Sequence, residues 1–229
     1  MAHIESHLRN SDFITDVVIG MSDGLTVPFA LAAGVSSAVS SNDIVVTAGI
    51  AEIIAGSIAM GLGGFLAGKT EIDHYQSELR REYYEVDHMP EMEKEEISEI
   101  FESYGISAGT RSGLVEELAK NKDKWVDFMM RFELGLDKPD ANRASKSAVT
   151  IGVSYILGGI VPLLPYFFTA SPLSGLKLSA IITLICLFVF GFFKSKATGQ
   201  PMFTGAFKVM LVGAVAAAAA YFVARLFGA

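Results

Sequence analysis

Acidic side chains recur at helical spacing within one hydrophilic stretch, residues 71–140, which contains 19 Asp or Glu residues and nine Lys or Arg residues. On a helix with about 100° between successive residues, Glu93 and Glu96 fall on the apolar stripe of their segment. That stripe is formed by Ile97, Ile100 and Tyr104. Burying an unpaired carboxylate is costly, so such groups are usually protonated, paired or bound to a cation. Because converging carboxylates cannot pair with one another, the pattern predicts a site for a divalent cation.

The same inward bias of acidic residues occurs in two neighbouring segments. Glu82 falls within an apolar stripe and Glu85 lies at its edge, whereas near the end of the stretch Met129 lies on an apolar face and Glu133 beside it. The residues defining these two faces are Tyr75, Leu79 and Val86 in the first and Trp125, Phe128 and Phe132 in the second. Thioether sulfur combined with carboxylate oxygen favours first-row ions such as Fe²⁺, Mn²⁺ or Co²⁺ over Mg²⁺ or Ca²⁺.

Other acidic and imidazole groups of the stretch have simpler interpretations. A solvated position is the usual one for any single glutamate on an amphipathic helix, and that interpretation stays open for the inward set. His74 and His88 are additional ligand candidates, although each is more typical of a surface or helix-capping histidine. Four glutamates on the opposite helix face we interpret as surface charges: Glu91, Glu95, Glu99 and Glu102.

One alternative function arises from the Glu-x-x-His spacing of Glu85 and His88. Di-iron carboxylate enzymes use this spacing on two separate helices. The stretch also contains it at Glu71 and His74, but both occurrences lie in the same predicted segment, 71–88. A membrane-anchored di-iron oxidase is therefore an alternative to a transporter, and a passive divalent-cation channel is another. Nucleic-acid binding is disfavoured because the hydrophilic stretch is strongly acidic.

Five long apolar stretches flank the acidic one, and each meets the length of about 20 residues needed to cross a bilayer. Together with the helical periodicity, they predict an all-α polytopic membrane protein. The single cysteine, Cys186, excludes an internal disulfide. The predicted spans cover about residues 13–39, 43–68, 147–168, 173–193 and 203–227, and the helices of the acidic stretch about 71–87, 90–104, 112–120 and 123–136.

The distribution of basic residues predicts the orientation. Residues 69–146 contain 12 Lys or Arg residues, and Lys194 and Lys196 lie between the last two spans. The positive-inside rule then places the N-terminus and the insert in the cytosol and the C-terminus outside or in a lumen. We divide the chain into an N-terminal tail, the first two spans, the acidic metal-binding insert and the last three spans, at residues 1–12, 13–69, 70–140 and 141–229.

Charged groups inside the spans form a second candidate site. Asp23 lies in the middle of the first span and Glu52 near the middle of the second, with Met60 about two turns further along. A charge at the bilayer centre costs about 2.5–3.5 kcal/mol on insertion scales, so it indicates a functional site. Gly24 and Pro28 are expected to loosen the first helix around Asp23.

Two further aspartates carry a weaker signal. Asp16 and Asp43 lie near the ends of their spans, where we expect water to reach them. Asp23, Glu52 and Met60 therefore remain the primary candidates for an ion path.

The first two spans carry two long motifs. Residues 19–34 read Ile-Gly-Met-Ser-Asp-Gly-Leu-Thr-Val-Pro-Phe-Ala-Leu-Ala-Ala-Gly, and residues 51–64 read Ala-Glu-Ile-Ile-Ala-Gly-Ser-Ile-Ala-Met-Gly-Leu-Gly-Gly. The first motif resembles the first-helix signature of the vacuolar iron transporter family, and the second resembles the second helix of that family. The acidic insert before the third span resembles that of the plant-type members. The resemblance covers about residues 13–227.

The resemblance implies a homodimer in the vacuolar membrane that exports Fe²⁺ from the cytosol in exchange for protons. It implies that Asp23, Glu52 and Met60 line the ion path, with the first helices at the dimer axis. Candidates besides Fe²⁺ for the cytosolic site are Zn²⁺, Co²⁺, Mn²⁺ and Ni²⁺. The residues implied to collect ions before transport are Glu82, Glu85, Glu93, Glu96, Met129, Met130 and Glu133.

Overall fold

The structure is a computed structural model that describes residues 11–227. Within that range it contains eight α-helices and one 3-10 helix, and no strand. The α-helices are α1 (Ser11–Ala38), α2 (Asn42–His88), α3 (Pro90–Ser103), α4 (Ala108–Ala119), α5 (Lys122–Phe132), α6 (Arg143–Leu163), α7 (Pro172–Ala197) and α8 (Met202–Phe227), and the 3-10 helix Leu164–Phe167 follows α6.

Five of these helices are long and apolar enough to cross a membrane: α1, α2, α6 with the 3-10 helix, α7 and α8. The prediction of an all-α protein with five spans is therefore confirmed. The chain forms two compact units. The membrane unit consists of the described residues up to Leu66 together with those from Ala144 onward, and the acidic unit consists of residues 67–143. α2 supplies its apolar first part to the former and its acidic second part to the latter.

In the membrane unit, α1 packs closely against α6 through glycines. A Cβ added at Gly24 would overlap the main-chain carbonyl of Tyr155, and one at Gly20 would overlap that of Ile151. Small residues let membrane helices approach in this way. α1 runs without a break through Gly24 and the buried Pro28. The loosening of α1 around Asp23 stays a prediction, and Gly24 also allows the close packing against α6.

The end of the third span differs from the prediction of one helix to about residue 168. α6 ends at Leu163, and a tighter 3-10 helix begins at Leu164 with Pro165 as its second residue. Proline cannot donate the main-chain hydrogen bond that continues an α-helix. Tyr166 in this turn is 2% exposed, and its hydroxyl accepts a hydrogen bond from Ser36 Oγ at 2.9 Å. Asn42 Nδ2 donates to the carbonyl of Tyr166 at 3.1 Å, so the turn is tied to the start of α2.

The acidic unit is built around a small apolar core. Pro90 occupies the first turn of α3, where its missing N–H is not needed. Asn121 caps α5 by accepting a hydrogen bond from the main-chain N–H of Lys124 at 3.1 Å. The buried residues that form the core are Val86, Ile97, Val115, Trp125, Val126, Met129 and Met130.

Two aromatic residues predicted to line this core lie at its outside. Tyr104 is 71% exposed because α3 ends at Ser103 and the chain turns at Gly105, whose φ is +80°. Phe132 is 53% exposed at the last position of α5, where its ring stacks on Phe128 at 4.7 Å. α5 also ends four residues earlier than predicted, before Gly135 at φ +65°.

Candidate metal-capture and transport sites

Two glutamates of the acidic unit are buried as completely as the apolar core. Glu82 on α2 and Glu93 on α3 are each 1% exposed. Both carboxylate oxygens of Glu82 and Oε2 of Glu93 lack a hydrogen-bond partner among the described residues. Buried carboxylate oxygens without partners are rare in folded proteins, and they indicate a missing cation or proton.

Neighbouring carboxylates further disfavour the charged forms of Glu82 and Glu93. Burial, and then repulsion from Glu96 and Glu82, raises the pKa of Glu93 to about 8. Burial, and then repulsion from Glu133 and Glu85, raises the pKa of Glu82 to about 7. The pKa of Glu96 and that of Glu133 are also raised, chiefly by burial. The five glutamates predicted as ion collectors therefore act on one another within one electrostatic cluster.

A guanidinium group lies at this cluster. Arg81 contacts Glu78 at 2.7 Å, Glu85 at 3.5 Å and Glu82 at 3.7 Å. Its side chain is 49% exposed, so the ion pairs with Glu82 and Glu85 are only partly shielded from water.

The two methionines predicted as soft ligands are buried on α5. Met129 is 0% and Met130 1% exposed, in the same apolar core as Ile97. Glu133 is the residue that follows α5; most of its side chain is exposed, while its carboxyl group is partly desolvated. Within residues 11–227, no group of three or more His, Cys, Asp or Glu side chains is close enough to hold a metal ion. The cluster therefore has the charge for a cation, and coordination by three carboxylates would need side-chain movement.

The histidines of the insert are engaged elsewhere. His88 is exposed, stacks on Tyr84 with ring centroids 4.0 Å apart, and its Nδ1 lies 2.8 Å from the Tyr84 carbonyl oxygen. His74 is exposed and lies 3.8 Å from Glu78. The Glu-x-x-His spacing of Glu85 and His88 thus gains no support as a di-iron motif.

The outward-facing glutamates of α3 are exposed, as predicted for surface charges. Lys94 contacts Glu91 at 3.4 Å, and Arg111 contacts Glu102 at 2.8 Å. Their exposure distinguishes them from Glu93 on the same helix. The exposed set is Glu91, Glu95, Glu99 and Glu102.

In the membrane unit, Tyr155 of α6 contacts one of the two predicted intramembrane carboxylates. Its hydroxyl donates to Glu52 Oε1. Glu52 Oε2 is buried without a hydrogen-bond partner among the described residues. Asp23 and Met60 are half-buried. The sequence analysis missed Tyr155, although a phenol within an apolar span was a signal that could have been used.

Asp16 differs from its expected accessibility to water. It is 3% exposed, and Ser147 Oγ of α6 donates to its Oδ1 at 3.0 Å. The expectation was wrong because α6 covers the first turns of α1. Asp16 is therefore more completely buried within the protein than Asp23 or Glu52.

These features define a polytopic helical membrane protein with buried carboxylates in its spans and in a separate acidic unit. The sequence matches the model of the VIT family over residues 14–225, and the chain belongs to that family. The family resemblance seen in the two helix motifs is therefore confirmed.

Individual relatives match over nearly the whole chain. Vacuolar iron transporter 1 of Arabidopsis thaliana is 50% identical over 224 residues, covering 98% of this chain and 90% of that protein. Vacuolar iron transporter 1 of Oryza sativa subsp. japonica is 48% identical over 223 residues, covering 97% and 88%. Protein CCC1 of Saccharomyces cerevisiae is 42% identical over 225 residues, covering 94% and 69%. The plant relatives are named as transporters rather than enzymes, in agreement with the expectation that this chain is not an enzyme.

Proposed function

We propose that this protein carries Fe²⁺ from the cytosol into the vacuole, in exchange for protons. The observation that carries the proposal is the 50% identity to a protein named vacuolar iron transporter 1 over 98% of the chain, a range that includes both units. Zn²⁺, Co²⁺, Mn²⁺ and Ni²⁺ are further ions that the cytosolic cluster would accept by its ligand chemistry.

The first step is capture by the acidic unit. Glu82 and Glu93 present buried oxygens that lack hydrogen-bond partners among the described residues, and Glu85, Glu96 and Glu133 add negative charge around them. A divalent ion would supply the positive charge that these side chains lack, and Met129 and Met130 would add thioether ligands. Such a cluster raises the local ion concentration beside the membrane.

The second step is passage through the membrane unit by way of Met60, Glu52 and Asp23. Tyr155 holds one oxygen of Glu52, which leaves the other oxygen free for an ion or a proton. Protons entering from an acidic lumen would neutralise the carboxylates and weaken their hold on the ion. Release into the lumen would then be coupled to proton movement in the opposite direction.

We place the protein in the vacuolar membrane as a homodimer, with the N-terminus and the insert of residues 70–140 cytosolic and the C-terminus lumenal. The excess of Lys and Arg in residues 69–146 supports this orientation. The homodimer is what the resemblance to the family implies.

The test is Fe²⁺ uptake into proteoliposomes, measured with and without an acidic interior. We expect uptake to accelerate severalfold with the gradient, and E52Q and D23N to reduce it by roughly tenfold or more because each removes a charge that binds the ion and the proton. E99Q, on the exposed face of α3, is the matched control and should retain uptake.

The results separate the candidate mechanisms. Uptake that ignores the proton gradient would contradict antiport, and a metal current without proton flux would indicate a channel. Normal uptake by both E52Q and D23N would show that the ion path lies elsewhere. Fast O₂ consumption on adding Fe²⁺ would favour the alternative that the protein is a membrane-anchored di-iron oxidase.

A further inference from the structure

Arg81 is a permanent cation placed among the glutamates proposed to capture metal. It contacts Glu85 at 3.5 Å and Glu82 at 3.7 Å, and its charge also acts on Glu96 and Glu133. Other basic side chains of the insert pair away from the cluster. Lys94 contacts Glu116 at 3.0 Å, Arg111 contacts Glu102 at 2.8 Å, and Lys120 contacts Glu117 at 2.5 Å.

The guanidinium and an incoming divalent ion would compete for the same oxygens. Arginine stays protonated at any physiological pH, so it cannot yield to the metal by losing its proton. A cation that binds Glu82 and Glu85 must therefore move Arg81 aside or bind against its repulsion.

Arg81 has one ion pair that does not involve the predicted ligands. Its shortest ion pair, 2.7 Å, is with Glu78, one turn before Glu82 on α2 and outside the predicted ligand set. The arginine side chain is 49% exposed, so it can release Glu82 and Glu85 to a metal ion while it keeps its ion pair with Glu78 and its contact with water.

We propose that Arg81 is a built-in counter-ion that partly neutralises the empty cluster. When a divalent ion enters, Arg81 releases Glu82 and Glu85 and keeps its ion pair with Glu78. Its competition lowers the affinity of the cluster, so that captured ions can be passed on. This role rests on the proposed capture function of the cluster.

The experiment uses the full-length protein in detergent, titrated with Co²⁺ while the fluorescence of Trp125 is recorded. Trp125 is the chain's single tryptophan, is 4% exposed and packs in the core that contains Met129 and Met130. The variants are R81Q, the charge-preserving R81K, and R80Q, a control that removes the same charge from the adjacent exposed position.

We expect R81Q to bind Co²⁺ roughly three- to tenfold more tightly than the unsubstituted protein, a range that allows for screening of a half-exposed charge. R81K should stay close to the unsubstituted protein, and R80Q should change affinity by less than about twofold. A thermal melt of each variant checks that it is folded, and R81M replaces R81Q if the latter does not fold.

Each outcome has one meaning. Unchanged or weaker binding by folded R81Q or R81M overturns the counter-ion role, and so does equal tightening by R80Q. If the unsubstituted protein shows no saturable Co²⁺ response, the capture function itself fails. Saturable binding that R81Q leaves unchanged contradicts only the role of Arg81.

Discussion

The buried glutamates of the insert face two opposing demands at the level of single residues. In the metal-free protein, burial and like charges favour the protonated acids, with pKa values of about 8 for Glu93 and about 7 for Glu82. Metal coordination needs the deprotonated carboxylates. The same burial that makes these groups good ligands therefore destabilises the empty unit near neutral pH.

Glu93 gives a direct test of this conflict. Its pKa rises from an ordinary value of 4.5 to about 8 on folding, so the folded state binds more protons than the unfolded state between those values. Stability of the metal-free insert should therefore fall as pH rises through that window. We expect E93Q, which places a neutral amide there, to stabilise the insert by about 1–3 kcal/mol at pH about 8 and to flatten the pH dependence.

The measurement is a thermal melt followed by Trp125 fluorescence in chelator, at pH about 6 and about 8. E99Q, on the exposed face of the same helix, is the control and should leave the pH dependence unchanged. A melt that is equally pH-dependent in E93Q would mean that Glu93 is not held protonated. The same variant should lose affinity for Co²⁺.

Helix packing in the membrane unit is decided by glycines on α1. Gly24 lies so close to α6 that an added Cβ would meet main-chain atoms of Tyr155, and main chain cannot yield as a flexible side chain can. The same residue, Tyr155, donates to Glu52 of α2. The α1–α6 spacing therefore also positions the intramembrane carboxylates.

We expect G24A to destabilise the protein by about 1–3 kcal/mol, because α6 must shift away from α1. Iron uptake should fall in parallel because Tyr155 moves with its helix. The matched control is G63A on α2, where nothing lies within 4 Å of an added Cβ, and it should leave both properties unchanged. Detergent melting temperatures and proteoliposome uptake measure the two effects, and a neutral G24A would contradict the packing argument.

The orientation of the chain in the membrane is predicted from the distribution of charge rather than from contacts. Lys177 lies near the start of α7 and Lys196 near its end. If α7 crosses the membrane, these two residues should lie on opposite sides of it. The excess of basic residues predicts that the Lys196 side is cytosolic.

Single-cysteine variants test this orientation after Cys186→Ser removes the native thiol. In sealed right-side-out vacuoles, we expect a membrane-impermeant maleimide to label K196C and to label K177C only after permeabilisation. If K177C were labelled in sealed vacuoles and K196C only after permeabilisation, the orientation of the chain would be opposite to the proposed one. Iron uptake by Cys186→Ser alone is the control for an intact transporter.

Much of the architecture could be predicted because its signals are local. Runs of apolar residues indicated the five spans, Pro90 and Gly105 indicated the limits of α3, and the positions of Glu82 and Glu93 among apolar residues indicated that both are buried. Tyr104 was misplaced because a helical projection does not show that α3 has already ended at Ser103. Phe132 was misplaced because the projection does not show that α5 ends at this residue.

The sequence by itself determined which segments are helical, which cross a membrane and which carboxylates stand where apolar side chains belong, because helical periodicity and hydropathy are properties of neighbouring residues. Only the tertiary structure showed that Tyr155 meets Glu52, 103 positions away, and that Ser147 meets Asp16, 131 positions away. Such pairs depend on the register at which separate helices pack. That register is set by the combined fit of many side chains rather than by any local pattern.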